Sequence, residues 1–170
     1  MFYKAKQVQL SYEFTGAIPK DNPKYKAYQE FRKKFGEDGN LLVIGLQTDK
    51  LFDERIFNDY NVLSAELKKI NGVEDIIGVT TSINLIKNPD TERLFSQPVF
   101  RNSILTQSEI DSSKNIFLSL PFYRHILYNP ETNAWLMGVR INKDVLASQK
   151  RIGVADAVSK LANDFGDKHK

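Results

Sequence analysis

The sequence LLVIGL at residues 41–46 decides the predicted fold of this chain. A continuous apolar run of this length indicates a strand at the centre of a sheet, or one covered on both faces. The next segment keeps its apolar residues on one helical stripe from Phe57 to Ile70, and Gly72 is placed to end that helix. Residues 73–85 are rich in Val, Ile and Thr and predict one long strand, with Gly78 as a bulge.

The second half of the chain continues this alternation of elements. A capping-box pattern over residues 106–109 predicts a short helix that Pro121 ends. Apolar residues at 126–128 and 134–141 flank a proline-containing turn and predict a hairpin.

A last helix is predicted behind that hairpin. Ser148 is placed to cap it and Gly166 to end it, so residues 167–170 are expected to fray. From residue 41 the order is therefore strand, helix, strand, insertion, strand, helix. This is a ferredoxin-like βαββαβ pattern of the α+β class whose final strand is missing.

The predicted elements also set the domain boundaries. We expect one α+β domain over residues 24–166, with an inserted helical and loop segment at about 87–125. Residues 1–23 are expected to form a lead-in strand and turn, the strand lying over residues 7–14 (QVQLSYEF). Either that strand fills the vacant place in the sheet, or a longer parent protein supplies the missing strand.

The charge of the chain is concentrated at its N-terminal end, where a helix is predicted from Asp21 to Gly36. Residues 1–35 carry eight basic and three acidic residues, against 16 and 18 in the remainder. Such a segment suits nucleic acid or anionic lipid headgroups. Its aromatic residues, however, keep the helical spacing of a buried stripe, whereas nucleic-acid stacking needs exposed rings. We therefore expect a solvated helix face and no nucleic-acid partner.

The residue types needed for catalysis are scarce in this sequence. It contains no cysteine and only two histidines, which excludes thiol chemistry and thiolate metal sites. Glycine-rich phosphate loops, zinc-protease motifs and EF-hand loops do not occur. A hydrolase with Ser119 as nucleophile and His125 as base is a remote alternative, because no nucleophile-elbow pattern surrounds that serine. We expect no catalytic, cofactor-binding or metal-binding residues and no enzyme activity.

Two aromatic residues are the candidates for contact with cargo or a partner. Most aromatic side chains in a domain of 170 residues lie in its core. Phe122 and Tyr123 follow Pro121 outside the clear helical periods, so we expect them to be partly exposed. Such residues line apolar grooves or subunit contacts.

Several short motifs occur in a characteristic order in the first half of the chain: Ile18-Pro19-Lys20-Asp21-Asn22-Pro23, Tyr28-Gln29-Glu30-Phe31, Phe35-Gly36 and Asn40–Ile44. In this order and spacing the chain resembles the segment that follows the first transmembrane helix of RND-superfamily exporters. It is similar in particular to the mycobacterial-type (MMPL) branch of lipid and hopanoid exporters. Leu51-Phe52, residues 70–74, the hairpin 127–139 and the helix 151–165 fall where that family has them, and residues 87–125 depart from it.

The resemblance implies a larger parent protein in the bacterial inner membrane. This segment would be the periplasmic porter domain between the first and second of about twelve membrane helices. Its partners would be those helices, the second periplasmic domain, further copies of the parent in an oligomer and a hydrophobic or lipid-like cargo. The proton-driven step would use acidic residues in membrane helices outside this segment.

A second interpretation comes from a different class of protein. In this interpretation the chain is a free-standing ferredoxin-like module with a ligand-binding or regulatory role. Such a module would dimerise through the open edge of its sheet.

Overall fold

A computed structural model of the chain describes residues 39–89 and 91–169, together with the single helical positions 23 and 26. The strand predicted over residues 7–14 and nearly all of the helix predicted from Asp21 to Gly36 lie outside the described residues.

The described residues form a mixed α+β structure with antiparallel sheets, which confirms the predicted fold class. In chain order the elements are β1 (Leu41–Gln47), α1 (Glu54–Lys69), β2 (Val73–Ile77), β3 (Ile83–Lys87), β4 (Leu94–Pro98), α2 (Gln107–Ser119), a 3-10 turn (Pro121–Tyr123), β5 (Tyr128–Asn129), β6 (Ala134–Ile141), α3 (Lys143–Leu146) and α4 (Lys150–Lys168).

Strand β6 is the centre of the main sheet. It lies between β1 and β2 and pairs with both in the antiparallel sense, with Val43 opposite Gly138 and Ile76 opposite Val139. The short strand β5 also pairs with β6. Strands β1 and β2 therefore run parallel to each other, and α1 connects them across the sheet.

Among the described residues, residues 41–46 lie at the edge of the sheet and not at its centre, where they were expected. Strand β1 is an edge strand of the described sheet. Leu42, Ile44 and Leu46 pack against the core, whereas Leu41 and Val43 point the other way and are 43% and 58% exposed. An apolar run alone cannot distinguish a central strand from an edge strand whose second face is open.

The prediction of a single strand over residues 73–85 is wrong. Strand β2 ends at Ile77, and β3 begins at Ile83 in a separate two-stranded sheet with β4. The intervening turn is stabilised by its own side chains, since the Thr81 hydroxyl accepts from the Gly78 N–H (2.9 Å) and the Ser82 hydroxyl donates to the Val79 carbonyl (2.7 Å). Hydroxyl side chains of this kind compete with strand pairing. The irregularity in β2 lies between Val73 and Asp75 and not at Gly78.

The ends of the last two long helices can be compared with their predicted caps. Glu109 accepts hydrogen bonds from the Thr106 backbone N–H and hydroxyl, both at 2.9 Å, which confirms the start predicted for α2.

Helix α4 continues to Lys168, past the end predicted at Gly166. Residues 167 and 168 are therefore helical. Lys168 and His169 both contact Asp59, which explains why the helix continues.

The core contains a closed ring of aromatic side chains. Successive ring centroids along it are 4.8–6.2 Å apart. The members, in order around the ring, are Phe52, Phe57, Phe100, Phe117, Tyr128 and Trp135. They come from α1, α2, β5, β6 and two loops, so this ring ties the inserted segment to the main sheet and α1.

Candidate functional site

The described residues form a cleft of about 900 Å³. Its lining residues come from α1, from β2 and the turn that follows it, from the β3–β4 hairpin, and from α2 with the segment that leads into it. Small-molecule sites in proteins commonly have volumes of 300–1,000 Å³. The cleft lies where the inserted segment meets the main domain.

Side chains of α1 hold the far wall of the cleft in place. The Asn58 amide donates to the Leu105 carbonyl and accepts from the Leu105 N–H, both at 2.8 Å. One turn later, the Asn61 amide donates to the Ser103 carbonyl at 3.2 Å. Hydrogen bonds from side chains of α1 thereby hold the backbone of the segment that leads into α2.

The ionisable residues that line the cleft form two opposite-charge pairs. Lys68 Nζ lies 3.2 Å from Asp75 Oδ1 and also donates to the Glu74 carbonyl. Arg101 Nη1 lies 3.8 Å from Glu109 Oε1. The pKa of Glu109 is lowered by the hydrogen bonds it accepts from Thr106. The lining therefore has no excess charge of either sign.

Neutral polar side chains form much of the remaining lining. They include Asn61, Ser64, Thr80, Asn84, Ser108 and Ser112. Thr80 is 8% exposed, and its Oγ1 is buried with no hydrogen-bond partner among the described residues. An unpartnered buried hydroxyl costs about 1–3 kcal/mol, so nearly all such groups in proteins find a partner.

Apolar side chains complete the cleft. Val99, Phe100 and Leu105 are buried in its lining, whereas Ile83 and Ile116 are exposed at 40% and 44%. The cleft is therefore amphipathic, with hydroxyl and amide groups beside an apolar strip.

The two residues predicted for cargo or partner contact lie outside this lining. Phe122 is 46% exposed and contacts Tyr123, their ring centroids being 4.3 Å apart. Tyr123 is half-buried and stacks on Phe117 at 5.2 Å. Its hydroxyl accepts from the Ile83 N–H (2.8 Å) and donates to the Ile83 carbonyl (3.0 Å), so Tyr123 fixes the base of the β3–β4 hairpin.

The residues of the remote hydrolase alternative are engaged in local structure. The Ser119 hydroxyl donates to the Ile116 carbonyl one helical turn earlier, at 2.7 Å. His125 is exposed, and its backbone is in the left-handed region with φ 62°. Its backbone N–H donates to the Tyr128 carbonyl. Neither side chain lines the cleft.

Sequence reasoning did not find the cleft. Its walls come from α1, β2, the hairpin and α2, and its lining residues are ordinary hydroxyl and amide side chains far apart in the chain. The one local signal was the cluster of Thr and Ser residues at 80–82, whose composition also suits the strand that was predicted there.

A metal site and a membrane-spanning helix are two other features that would indicate a function. They include no group of three or more His, Asp or Glu side chains arranged to hold a metal ion. None of their helices combines the length and the apolar character needed to cross a membrane. The buried Tyr60 hydroxyl has no hydrogen-bond partner among them, and burial raises its pKa, which keeps the phenol protonated.

Comparisons with models of known protein families, with curated proteins and with solved structures found no match for this chain.

Proposed function

We propose that this chain is the periplasmic porter domain of a proton-driven RND exporter of the MMPL type. In this role it contributes to binding or gating of a hydrophobic or lipid-like cargo and performs no chemistry of its own. The sequence resemblance is the origin of the proposal, and the arrangement of the main sheet is the observation that carries it.

The strand order supports a ferredoxin-like porter domain. Such a domain has a split βαβ unit, in which an antiparallel strand lies between two parallel ones. The order β1-β6-β2, with α1 connecting the outer strands, has this form. A second helix follows the central strand, as α4 follows β6, and packs on α1 through Tyr60 and Phe165 (centroids 5.9 Å apart).

The open edge of the sheet also fits a porter domain. In the ferredoxin-like pattern, a fourth strand after the second helix pairs with the outer edge of the first strand. In the described residues this edge belongs to β1 and has no partner. Leu41 and Val43 are exposed beside it. An open edge with apolar neighbours is unfavourable in an isolated protein, because it invites pairing with another chain.

The β3–β4 hairpin is a second surface that fits a larger assembly. A two-stranded sheet by itself is marginally stable in water. Leu85, Leu94 and Phe95 on this hairpin are 47–65% exposed. Exposed apolar residues on a hairpin are typical of a surface that contacts another domain.

The intact gene provides the first test of this proposal. Apolar segments of about 20 residues directly flanking the coding region of this chain on both sides are expected. Natural start and stop codons at both ends of the 170 residues would contradict the exporter assignment.

Cysteine labelling in cells that express the intact gene product tests which side of the membrane this domain faces. The chain has no cysteine of its own, so a single introduced thiol in this domain reports its environment. In a parent cleared of any other cysteines, we expect Glu131→Cys, in the exposed turn before β6, to react with a membrane-impermeant maleimide before lysis. Val139→Cys, at a fully buried position, is the matched control. Labelling of Glu131→Cys only after lysis would place the domain in the cytoplasm.

The open edge of β1 also favours the second candidate function, a free-standing module that dimerises through its sheet. That module would be a dimer in light scattering, and Val43→Lys would make it monomeric by placing a charge beside the paired edge. A strictly monomeric wild-type chain would count against this module. Val62→Lys, at an exposed position on α1 and not on β1, is the control.

A further inference from the structure

We propose that Asn71 is a site of spontaneous covalent modification, at which loss of the side-chain amide gives aspartate and isoaspartate, and that the isoaspartate form loosens the turn between α1 and β2. The site lies outside the lining of the cleft, and the inference does not depend on the proposed function. Asn71 and Gly72 form the only Asn–Gly pair in the sequence. Because glycine has no side chain, its backbone nitrogen can approach the side chain of the preceding asparagine without obstruction.

The reaction needs only water as a co-reactant. The Gly72 backbone nitrogen attacks Asn71 Cγ, the new N–Cγ bond closes a cyclic imide, and the Cγ–Nδ2 bond breaks. Ammonia leaves with the proton that the Gly72 nitrogen gives up. Water then opens the imide at Cγ to give aspartate, or at the backbone carbonyl carbon to give isoaspartate, whose main chain runs through Cβ and Cγ. The net change is the uptake of a water molecule and the release of ammonia.

Both reacting groups are accessible in the folded turn. Helix α1 ends at Lys69, and Ile70 already has an extended backbone, so the Gly72 nitrogen lies beyond the hydrogen bonds of the helix. The Asn71 side chain is exposed. Among the described residues, neither its amide nor the Gly72 N–H takes part in a hydrogen bond. The Asn58 amide, by contrast, is held by two hydrogen bonds to the backbone of Leu105.

Either product places a carboxylate where negative charge is unfavourable. The turn follows the C-terminal end of α1, where the helix dipole favours cations. Glu74 and Asp75 are already exposed in the adjoining strand. The basic residues of the last turn, Lys68 and Lys69, are paired with Asp75 and Glu66. We therefore expect the modified chain to be less stable than the unmodified chain.

Isoaspartate has a further effect, because it adds a carbon atom to the backbone of a closely packed turn. Gly72 has φ 103°, and a Cβ placed on it would lie 3.1 Å from Val145 and 3.4 Å from Val154. The Gly72 carbonyl accepts from the Asn142 N–H at 2.8 Å. A longer backbone displaces Gly72 from these contacts, which join the turn to α3 and α4.

Mass spectrometry of the 170-residue chain during storage tests the chemistry. Folded protein and a urea-unfolded sample are kept side by side at mildly alkaline pH, digested and mapped, with electron-transfer fragmentation to distinguish isoaspartate from aspartate. We expect Asn71 to convert in the folded protein, and faster as the pH rises, because the attacking nitrogen must lose its proton. Asn102, which is exposed and followed by Ser103, is the internal comparison and should convert more slowly. Conversion of Asn71 in the unfolded sample alone, or of Asn102 before Asn71, would overturn the proposal.

Two variants separate the reaction from its consequences. Asn71→Gln keeps an amide but needs a larger imide ring, so position 71 should stay unmodified over the same period. Asn71→Asp supplies the charge without the extra backbone atom, and we expect it to raise the equilibrium constant for unfolding roughly two- to fivefold. Asn102→Asp, at an exposed position that does not follow a helix, is the control and should leave this constant unchanged.

Hydrogen exchange measures the effect of the longer backbone. The isoaspartate fraction of the stored protein, separated by chromatography, should exchange the Asn142 amide faster than unmodified protein. Asn71→Asp should keep that amide protected, because its backbone has the normal length. An isoaspartate fraction with the stability and the Asn142 exchange rate of unmodified protein would show that the turn is not loosened, which would refute the inference.

Discussion

Glu54 and Gln107 cap each other's helices across 53 residues of sequence. The Glu54 N–H, at the start of α1, donates to Gln107 Oε1 at 2.8 Å, and the Gln107 N–H, at the start of α2, donates to Glu54 Oε2 at 2.9 Å. Gln107 Nε2 also donates to the Phe52 carbonyl at 2.9 Å. Each side chain thus accepts a hydrogen bond from a free backbone N–H at the start of the other helix. The two bonds join the inserted segment to the main domain.

Replacement of Gln107 should reveal the strength of this connection. Gln107→Ala removes the partners of the Glu54 N–H and the Phe52 carbonyl, and we expect it to lower the free energy of unfolding by about 1–2 kcal/mol. The measurement is urea unfolding followed by circular dichroism. Gln149→Ala is the matched control, because Gln149 occupies the N-cap of α4 without a side-chain capping bond. Equal losses in the two variants would show that the reciprocal bonds contribute nothing.

Local signals in the sequence were sufficient to predict most of the elements. The capping pattern at Thr106 marked the start of α2, and the apolar stripe from Phe57 marked α1. Gly72 has φ 103° in the turn between α1 and β2, a conformation that glycine adopts without strain. Each of these signals lies within a few residues of the structure it specifies.

The errors arise where the partner lies far away in the chain. Residues 73–85 have the composition of one strand, and only the hydrogen bonds within the turn at 78–82 divide them between two sheets. Helix α4 extends beyond its predicted end because Asp59, from α1, lies beside Lys168. The cleft depends on contacts such as Asn58 with Leu105, across 47 residues, and no local pattern in the sequence encodes these.

The junction between α1 and α4 should make stability depend on acid pH. Lys168 Nζ donates to Asp59 Oδ1 at 2.8 Å, and His169 Nε2 lies 3.0 Å from Asp59 Oδ2. The hydrogen bond from Lys168, followed by the charges of Lys168 and His169, lowers the pKa of Asp59. A carboxylate with a lowered pKa stabilises the fold above its unfolded pKa of about 3.9, and this contribution disappears as the pH falls through the folded value.

Asp59→Asn should therefore reduce the loss of stability that wild type shows as the pH falls. Because these side chains are partly exposed, we expect a loss of roughly 0.2–1 kcal/mol at neutral pH, and no difference from wild type once the pH is well below the lowered pKa of Asp59. Thermal unfolding measured from pH 2 to pH 7 follows the effect. Asp164→Asn, at an exposed position on α4, serves as the control. A constant difference between Asp59→Asn and wild type at every pH would rule out an electrostatic origin.

The hydroxyl of Tyr123, and not its ring, should hold the β3–β4 hairpin in place. Tyr123→Phe keeps the stacking on Phe117 and removes both hydrogen bonds to Ile83. We expect a loss of about 1 kcal/mol in unfolding free energy and faster hydrogen exchange at the Ile83 amide. Phe122→Leu changes an exposed neighbour and should leave that amide protected. Unaltered exchange at Ile83 in Tyr123→Phe would show that the hairpin is held by other contacts.

Thr80 and Ser82 lie in the same turn and should respond to loss of their hydroxyls with opposite signs. The buried Ser82 hydroxyl donates to the Val79 carbonyl at 2.7 Å, so Ser82→Ala should lower the free energy of unfolding by about 1 kcal/mol. The Thr80 hydroxyl is buried without a partner among the described residues, so Thr80→Val should raise the free energy of unfolding by about 1 kcal/mol. Urea titrations of the two variants beside wild type measure both effects. A destabilised Thr80→Val variant would mean instead that this hydroxyl has a hydrogen-bond partner within the fold.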